Sequence, residues 1–372
     1  MTNKSTDRER VGILTRHCYP NYGSLLQARA LTDALASLGF DTEVIDYIPV
    51  TDRARGIVGS SLRESRMRSS RLRRVAYRIV QGPGLLFAVL KFARFRRRLI
   101  AASAPYGTPS EVADALGQYN TVVTGSDQVW NRIHGELDAT YFLTTPMPGG
   151  RRISYAASFG TAGPDPEHEA QIFAWLNELD RVSVRERSSA EALRERGVHC
   201  EIDPDPVLLH DRGYWNDFSR KAVRASEPYL LVYQLHNTPL FNEELARLQA
   251  RTGLPVRRVT VDVKQWVRHR ASDYLVSPEH FVALFRDASL VVTDSFHGTA
   301  FSLIFGRPLR VVLPMKNSAR LQDMVESVGV GASLTTVDDA NYSYSTTRVD
   351  SVLMSARREA RQRLVSSIRG TD

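Results

Sequence analysis

The segment best suited to chemistry carries a histidine where a helix is predicted to begin. It reads Asp294-Ser295-Phe296-His297-Gly298-Thr299. The apolar run 290–292 precedes it, and the helix-compatible apolar run 300–305 follows. The first turn of a helix has unpaired N–H groups at the positive end of its dipole, so this position favours an anion. His297 could hold a phosphate or move a proton there, although a histidine at a strand end is also a common structural residue. The predicted donor ligands in this segment are Ser295, His297, Gly298 and Thr299.

A second polar segment follows the apolar residues Val122 and Val123. It reads Thr124-Gly125-Ser126-Asp127-Gln128-Val129-Trp130-Asn131. Asp127 offers a base, and an amide such as that of Gln128 can grip sugar hydroxyls. The ring of Trp130 could stack on a sugar face. The alternative is a helix-capping aspartate beside a buried tryptophan. We interpret Asp127 as catalytic and Gln128, Trp130 and Asn131 as acceptor ligands.

The loop after the first predicted strand is the third polar segment. In open α/β sheets, ligands bind beyond the carboxyl ends of the strands. Gly23 permits an unusual backbone conformation at this point. The predicted acceptor ligands in the loop are Asn21, Tyr22, Ser24 and Gln27. The alternative is that Asn21 or Ser24 is simply the N-cap of the helix that follows.

Arg185 emerges at the end of the predicted strand 182–184. Its guanidinium could clamp a phosphate or carboxylate with two parallel hydrogen bonds. The alternative is a surface ion pair between Arg185 and Glu186 on the next helix. Spacing alone supports this pair as well as it supports an anion site.

Several function classes lack support. The chain has no G-x-G-x-x-G after its first strand, no P-loop and no H-E-x-x-H, and its nine histidines show no metal-ligand spacing. Two cysteines, Cys18 and Cys200, cannot form a disulfide framework, which fits a reducing cytoplasm. The start of the chain lacks an apolar signal core, and no run of about 18 apolar residues predicts a membrane span. We therefore expect a cytoplasmic protein with no metal and no bound cofactor.

The pattern of elements predicts two α/β halves with parallel sheets facing a cleft. The sequence alternates apolar strands with helices whose apolar residues recur at helical spacing. Predicted strands are 11–14, 44–47, 121–125, 153–157, 182–184, 207–209, 229–234, 256–261, 289–293 and 309–313. Predicted helices are 24–38, 167–179, 187–196, 240–251, 278–287, 298–306, 318–328 and 350–369.

These elements divide the chain into three parts. The N-terminal half, 1–210, carries a basic insertion at 51–105 and is expected to bind the acceptor. The C-terminal half, 211–340, is expected to bind the donor phosphate, and the polar stretch 210–228 is the predicted linker. The remaining residues, 341–372, form a predicted helical tail.

Positive charge is concentrated in one place. The net charge is +8, but residues 63–98 hold twelve Arg or Lys and one acid, so the rest of the chain is net negative. A nucleic-acid partner is therefore not expected. The mixture of arginines with the apolar run 85–90 is typical of an element on an anionic membrane surface. The alternatives are a solvated insertion or a basic flap over an anionic donor.

Together these segments resemble the polysaccharide pyruvyl transferase family. The resemblance rests on residues 11–47, 119–131, 153–187 and 290–308, in that order. It implies two Rossmann-like domains similar to the GT-B glycosyltransferases. It also implies transfer of the enolpyruvyl group of phosphoenolpyruvate to a sugar, giving a pyruvate ketal and phosphate. The expected acceptor is an exopolysaccharide or cell-wall glycan, or its lipid-linked precursor.

The resemblance also implies roles for individual residues. The family's histidine corresponds to His297, and its phosphate-binding arginine to Arg185. The acceptor hydroxyl would be deprotonated by Asp127 or Asp294. Many members carry arginine two residues before the histidine, where this chain has Ser295. That charge would then come from elsewhere, with Arg307, Lys316 and Arg320 as the candidates.

Two other functions fit the same fold class. A nucleotide-sugar glycosyltransferase would bind the donor diphosphate at 297–299, and a non-catalytic protein would bind a saccharide without turning over a donor. Fold class cannot separate these alternatives, because function depends on the site.

Overall fold

The computed structural model describes residues 8–49, 52–53, 71–132, 136–269, 273–314, 318–331, 334 and 344–371. The first part of the basic segment, 63–70, and Lys316 lie outside the described residues.

The N-terminal half is built on a four-stranded parallel sheet in the order β2-β1-β3-β4. Its strands are β1 (Arg10–Leu14), β2 (Asp41–Val44), β3 (Thr121–Thr124) and β4 (Arg151–Ser154). A small parallel pair, β5 (Ser183–Val184) and β6 (Glu201–Ile202), lies beside it. The helices of this half are α1 (Tyr22–Ser37), α2 (Arg71–Leu99), α3 (Pro109–Leu116), α4 (Glu169–Leu176) and α5 (Arg187–Arg194).

The C-terminal half has a five-stranded parallel sheet in the order β11-β10-β7-β8-β9. Its strands are β7 (Leu230–Tyr233), β8 (Val256–Thr260), β9 (Asp273–Tyr274), β10 (Leu290–Thr293) and β11 (Leu309–Val311). The remaining helices are α6 (Arg212–Ser219), α7 (Pro239–Thr252), α8 (Val263–Arg268), α9 (Pro278–Asp287), α10 (Phe296–Phe305), α11 (Ala319–Ser327) and α12 (Thr346–Arg369).

Local sequence explains why α10, the helix that carries the histidine, begins and ends where it does. The Ser295 side chain caps the helix by accepting a hydrogen bond from the Gly298 backbone. Gly306 ends it in the left-handed region, with φ of 62°. Every residue of α10 is buried, and its apolar surface on all sides is typical of a helix inside a core. The helix is therefore a rigid support for the side chains at its start.

One hydrophobic core runs through both halves. Tyr22 at the start of α1 stacks on Phe281 of α9, with ring centroids 4.2 Å apart. Phe281 in turn packs edge-on against Phe301 of α10, with ring centroids 6.0 Å apart. These contacts fix the starts of α1 and α10 relative to each other, so the site between the halves rests on a continuous core.

The structure corrects three predicted elements. The second strand is β2, which ends at Val44, whereas the predicted strand was 44–47. Residues 206–209 form a 3₁₀ helix rather than a strand, because Asp205 caps it and Pro206 starts it. The predicted linker contains α6, which is capped by Asp211 and buries Trp215 completely.

The described part of the basic segment is the long helix α2. Its buried face, which includes Phe92 and Phe95, packs into the core, where Phe92 meets Tyr22 at 5.0 Å. Arg96 pairs with Asp46 at 3.0 Å. Among the residues that the structure describes, no helix is long and apolar enough to cross a bilayer.

The predicted tail is the helix α12, which packs on both halves. Near its start, Tyr344 donates a hydrogen bond to the Ser302 carbonyl of α10. Near its end, the Ser367 carbonyl accepts from Arg151 of β4, and Ile368 is buried. The helix therefore ties the C-terminal half to the first sheet.

Candidate active site

The site is centred on the carboxylate of Asp205, which is fully buried. Its Oδ2 lies 2.8 Å from Nη1 of Arg185 and 3.6 Å from Nε2 of His297. The Ser126 hydroxyl donates to the same oxygen at 3.3 Å. Asp205 thus joins the predicted arginine, which follows β5, to the predicted histidine on α10.

Two neighbouring side chains stabilise the ionised form of Asp205. Burial alone would raise its pKa, but His297 and Arg185 hold the pKa of this carboxyl well below its usual range. The Asp203-Pro204-Asp205-Pro206 segment predicted only a turn, so the central residue of the site was missed. The available signal was a pair of acidic residues at the end of a short strand.

Arg185 is held from three sides. Its Nε donates to Glu186 at 3.0 Å, and its guanidinium lies over the Phe296 ring at 4.1 Å. Burial would lower its pKa, but Glu186 and Asp205 together raise the pKa above the ordinary value. Its Nη2 is buried and has no hydrogen-bond partner. Arg185 does pair with Glu186, but the pair is buried and not on the surface as the alternative had it. The side chain is therefore a fixed cation with one N–H group that has no partner.

His297 lies where the starts of two helices meet. It is the second residue of α10 and is largely buried. Its imidazole lies against Gly23 of α1, so closely that a Cβ at Gly23 would collide with Nδ1. Nε2 of His297 is buried and has no hydrogen-bond partner. Because each helix start is the positive end of a dipole, the space beside this imidazole favours a negatively charged ligand.

Asp127 faces this same region from the N-terminal half. It is partly exposed and accepts a hydrogen bond from the Ser24 hydroxyl at the start of α1. Gln128 and Asn131 are also partly exposed, and their side chains are hydrogen-bonded to each other at 2.7 Å. Asp127, Gln128 and Asn131 therefore remain accessible to a ligand.

The carboxylate of Asp294 is hydrogen-bonded to residues outside the site. Its buried carboxylate accepts from the Leu235 and His236 backbones at 2.6 and 2.7 Å. It also holds Nδ1 of His236 at 3.0 Å, and this hydrogen bond raises the pKa of that histidine. Asp294 therefore positions the loop after β7 and the half-exposed His236. Of the two predicted bases, Asp127 is the more accessible.

Three predicted acceptor ligands occupy structural positions instead. Trp130 is 1% exposed, stacks on Phe142 and donates to the Tyr141 carbonyl, so it presents no face to a sugar. Tyr22 is buried between the halves. Gln27 is 0% exposed, and its amide donates to Thr15 and to the Ser24 carbonyl.

The remaining predicted ligands are mostly capping residues. Asn21 caps α1 through its side-chain oxygen, which accepts from Gly23 and Ser24. Ser295 caps α10, and the Thr299 hydroxyl donates back to the Ser295 carbonyl. Gly298 packs on β10, where a Cβ would meet the Thr293 side chain at about 2.5 Å. These residues shape the two helix starts rather than present free side chains.

Two cavities have polar side chains in their linings. One, of about 230 Å³, is lined by Arg185, Asp205, Phe296 and Arg320 together with residues of α11 and α12. The other, of about 420 Å³, lies in the N-terminal half and is lined by polar groups that include Arg16 and Asp138. Nε of Arg16 is buried without a hydrogen-bond partner. A charged or hydroxyl-rich ligand suits both cavities.

One group of ligand-type side chains comes together in the described part of the chain, away from Asp205. Atoms of Asp165, Glu167 and His168 lie within 4.8 Å of one another. Arg132 pairs with Asp165 at 2.8 Å and with Glu167 at 2.6 Å. Because the arginine already supplies positive charge, we assign no metal here.

Two parallel α/β halves with a site between them define the GT-B class, and solved structures agree. The structure of UDP-N-acetylglucosamine 2-epimerase from Rickettsia bellii is similar, with a TM-score of 0.51 and 9% identity over 98% of this chain and 96% of that one. The S. aureus MnaA–UDP structure has a TM-score of 0.51 and 12% identity, over 97% and 96%. At these identities the likeness establishes the fold alone, and it confirms the predicted fold class.

The family follows from the sequence. The family model for polysaccharide pyruvyl transferase matches residues 21–314. The chain belongs to this family, which confirms the resemblance found above. No curated protein matches the chain.

The contact between Gly23 and His297 predicts the effect of one added methyl group. Gly23→Ala forces α1 and the imidazole apart, and we expect the free energy of unfolding to fall by about 1–3 kcal/mol. Gly117→Ala is the control, because nothing lies within 4 Å of a Cβ there. Urea denaturation measures both variants. Equal stability of the two would contradict the close approach.

The lowered pKa of Asp205 predicts a pH-dependent stability difference. Asp205→Asn leaves Arg185 without one of its counter-charges, so at pH 7 we expect a loss of about 3–5 kcal/mol. The folded-state pKa lies below the unfolded value of about 3.9, so the carboxylate stabilises the fold above that pH. The difference from wild type should narrow as pH falls below about 4. Urea denaturation at pH 7, 5 and 2.5 measures it, and a difference that stays constant down to pH 2.5 would refute the charge pairing.

Proposed function

We propose that this protein transfers the pyruvyl group of phosphoenolpyruvate onto two hydroxyls of a sugar, forming a ketal and releasing phosphate. The observation that carries the proposal is the meeting of Arg185 and His297 at Asp205, within the matched family segment. The acceptor in this proposal is a glycan or its lipid-linked precursor.

The donor has a phosphate and a carboxylate, so its site needs several positive groups. Arg185 supplies a permanent cation with a free Nη2, and the starts of α1 and α10 add the positive ends of two dipoles. Nε2 of His297 is free to contact the phosphate. These groups come from both halves, so the donor would bind between them.

The proton transfers follow from the balance of the reaction. A proton delivered to the methylene carbon makes a methyl group and an oxocarbenium-like centre at the neighbouring carbon. One sugar hydroxyl attacks this carbon and loses its proton. A second hydroxyl then attacks the same carbon as the C–O bond to phosphate breaks, and its proton leaves with the phosphate. In the proposal His297 is the general acid, and Asp127 accepts the proton of the attacking hydroxyl.

The acceptor has a place to bind in the N-terminal half. The cavity of about 420 Å³ has room for a sugar unit and offers charged and hydroxyl side chains. Arg16, which lines it, follows β1, and the neighbouring Thr15 hydroxyl donates to the Ser126 carbonyl beside Asp127. We assign the acceptor to this cavity together with the accessible side chains of Gln128 and Asn131.

A lipid-linked acceptor would bring the protein to a membrane surface, and α2 suits such contact. Leu86, Phe87 and Leu90 are 43%, 54% and 59% exposed, and residues 82–99 include five basic and no acidic residues. The neighbouring α8 packs against α2 at Gly84 and exposes Trp266 and Val267. Apolar side chains among cations favour an anionic lipid surface.

The assignment of the acid predicts the phenotype of His297→Ala. Loss of a general acid typically costs about 10²–10⁴-fold in rate, and loss of the phosphate contact adds to this. We expect no detectable ketal by mass spectrometry of a candidate glycan incubated with phosphoenolpyruvate, while the variant stays folded by circular dichroism. His168→Ala, at a partly exposed position, is the control. Near-native phosphate release by His297→Ala would refute the role.

A donor screen with the wild-type protein separates the proposal from its rival. Phosphate release from phosphoenolpyruvate supports pyruvyl transfer. Nucleotide release from a nucleotide sugar, with no reaction of phosphoenolpyruvate, would instead identify a glycosyltransferase.

The exposed face of α2 predicts binding to lipid vesicles. Wild type should sediment with phosphatidylglycerol vesicles and much less with phosphatidylcholine vesicles. The triple variant Leu86→Ser, Phe87→Ser and Leu90→Ser should lose this binding, because it removes the apolar contacts. Met354→Ser is the control, since that side chain is 65% exposed on α12. Unchanged sedimentation of the triple variant would remove the membrane proposal.

A further inference from the structure

The donor site of the proposed reaction lacks one cation. Arg185 is already matched by Glu186 and Asp205. A donor with two anionic groups therefore needs a further positive charge that is not neutralised by the protein.

Of the candidate replacements, Arg307 lies at the wrong end of α10. It follows Gly306, about 15 Å along the helix from its start by the usual rise per residue. Burial is the main cause that lowers the pKa of Arg307. The charged groups that also act on it are Asp287 and Arg212. Neither belongs to the candidate active site. Lys316 lies outside the described residues.

Arg320 lies at the start of α11 and faces the site. It lines the cavity of about 230 Å³ together with Arg185, Asp205 and Phe296. The position of α11 is fixed by Asp323, one turn further on, which accepts from the Ser188 backbone at 3.2 Å and from its hydroxyl at 3.1 Å. Because residues three apart share a helix face, this contact turns Arg320 toward α5, the helix that begins two residues after Arg185.

The electrostatic surroundings of Arg320 agree with this position. Burial lowers its pKa, and Arg185 lowers it further, while Glu186 and Asp127 act in the opposite direction. Arg320 in turn acts to lower the pKa of His236. Its charge therefore reaches groups of both halves.

Within the described residues, the Arg320 guanidinium makes no ion pair, and its Nε is buried without a hydrogen-bond partner. Arg320 is partly buried, and its Nε therefore loses its contact with water without gaining a partner in the protein. An anionic ligand between Arg185 and Arg320 would satisfy the free N–H groups of both.

We propose that Arg320 binds the anionic donor together with Arg185 and supplies a positive charge that no carboxylate of the described residues pairs. The inference rests on the proposed function for the identity of the donor. That the donor is an anion follows from the two arginines alone. The halves contribute one arginine each, so the anion would be held from both sides.

The test compares two partly buried arginines, Arg320 and Arg307, whose Nε atoms both lack a hydrogen-bond partner. Arg307 is also partly buried with an unpaired Nε, but at the far end of α10. Arg320→Met and Arg307→Met remove the charge and keep most of the apolar stem. Isothermal titration calorimetry measures binding of phosphoenolpyruvate and of inorganic phosphate to each variant and to wild type.

We expect Arg320→Met to raise the Kd for phosphoenolpyruvate at least tenfold, Arg320→Lys to recover part of the affinity, and Arg307→Met to bind as wild type does. The melting temperature without ligand should not fall in Arg320→Met, because the guanidinium makes no ion pair within the described residues and its Nε has no hydrogen-bond partner. Wild-type affinity in Arg320→Met, or an equal loss in Arg307→Met, would overturn the inference.

The outcomes separate this inference from the proposed function. If Arg320→Met forms the ketal with wild-type KM, the inference fails and pyruvyl transfer stands. If wild type binds no phosphoenolpyruvate but binds UDP, and Arg320→Met loses that binding, the arginine is an anion ligand and pyruvyl transfer fails.

Discussion

The geometry of the site depends on one buried carboxylate. Asp205 has no access to water, and a charge in that position is tolerated only where opposite charge and hydrogen bonds surround it. Arg185 from the N-terminal half and His297 from the C-terminal half meet this requirement at a single oxygen. The carboxylate thereby fixes the direction of the guanidinium and leaves Nη2 as its free group.

The placement of His297 follows from local sequence, which is why it could be predicted. The strand before it is continuously apolar, as expected for a parallel sheet covered on both faces. Ser295 is a good N-cap, and Gly306 is a good terminator. Each signal acts within a few residues, so the strand, turn and helix were all readable from the chain. The same holds for α7, α9 and α11, whose predicted and observed limits differ by at most two residues.

The parts that could not be predicted depend on contacts between distant residues. Asp205 lies 20 residues after Arg185, and nothing local indicates that they meet. A polar or aromatic side chain after a strand can turn toward the cleft, as Asp127 does, or into the core, as Trp130 does. Gln27 satisfies backbone groups of its own loop, and only the folded loop shows this. The linker was misjudged because Trp215 packs on Phe301, a residue far away along the chain, and nothing local indicates this contact.

The division of the site between the halves constrains how such a protein can evolve. Asp205 belongs to the first half and the histidine to the second, and α12 returns from the second to pack beside β4 of the first. If one half were exchanged for that of a distant relative, the contact between Asp205 and His297 and the packing of α12 on β4 would both have to be preserved. Recombination between lineages is therefore expected to transfer this gene as a single unit, with new specificity arising through substitutions around a conserved centre.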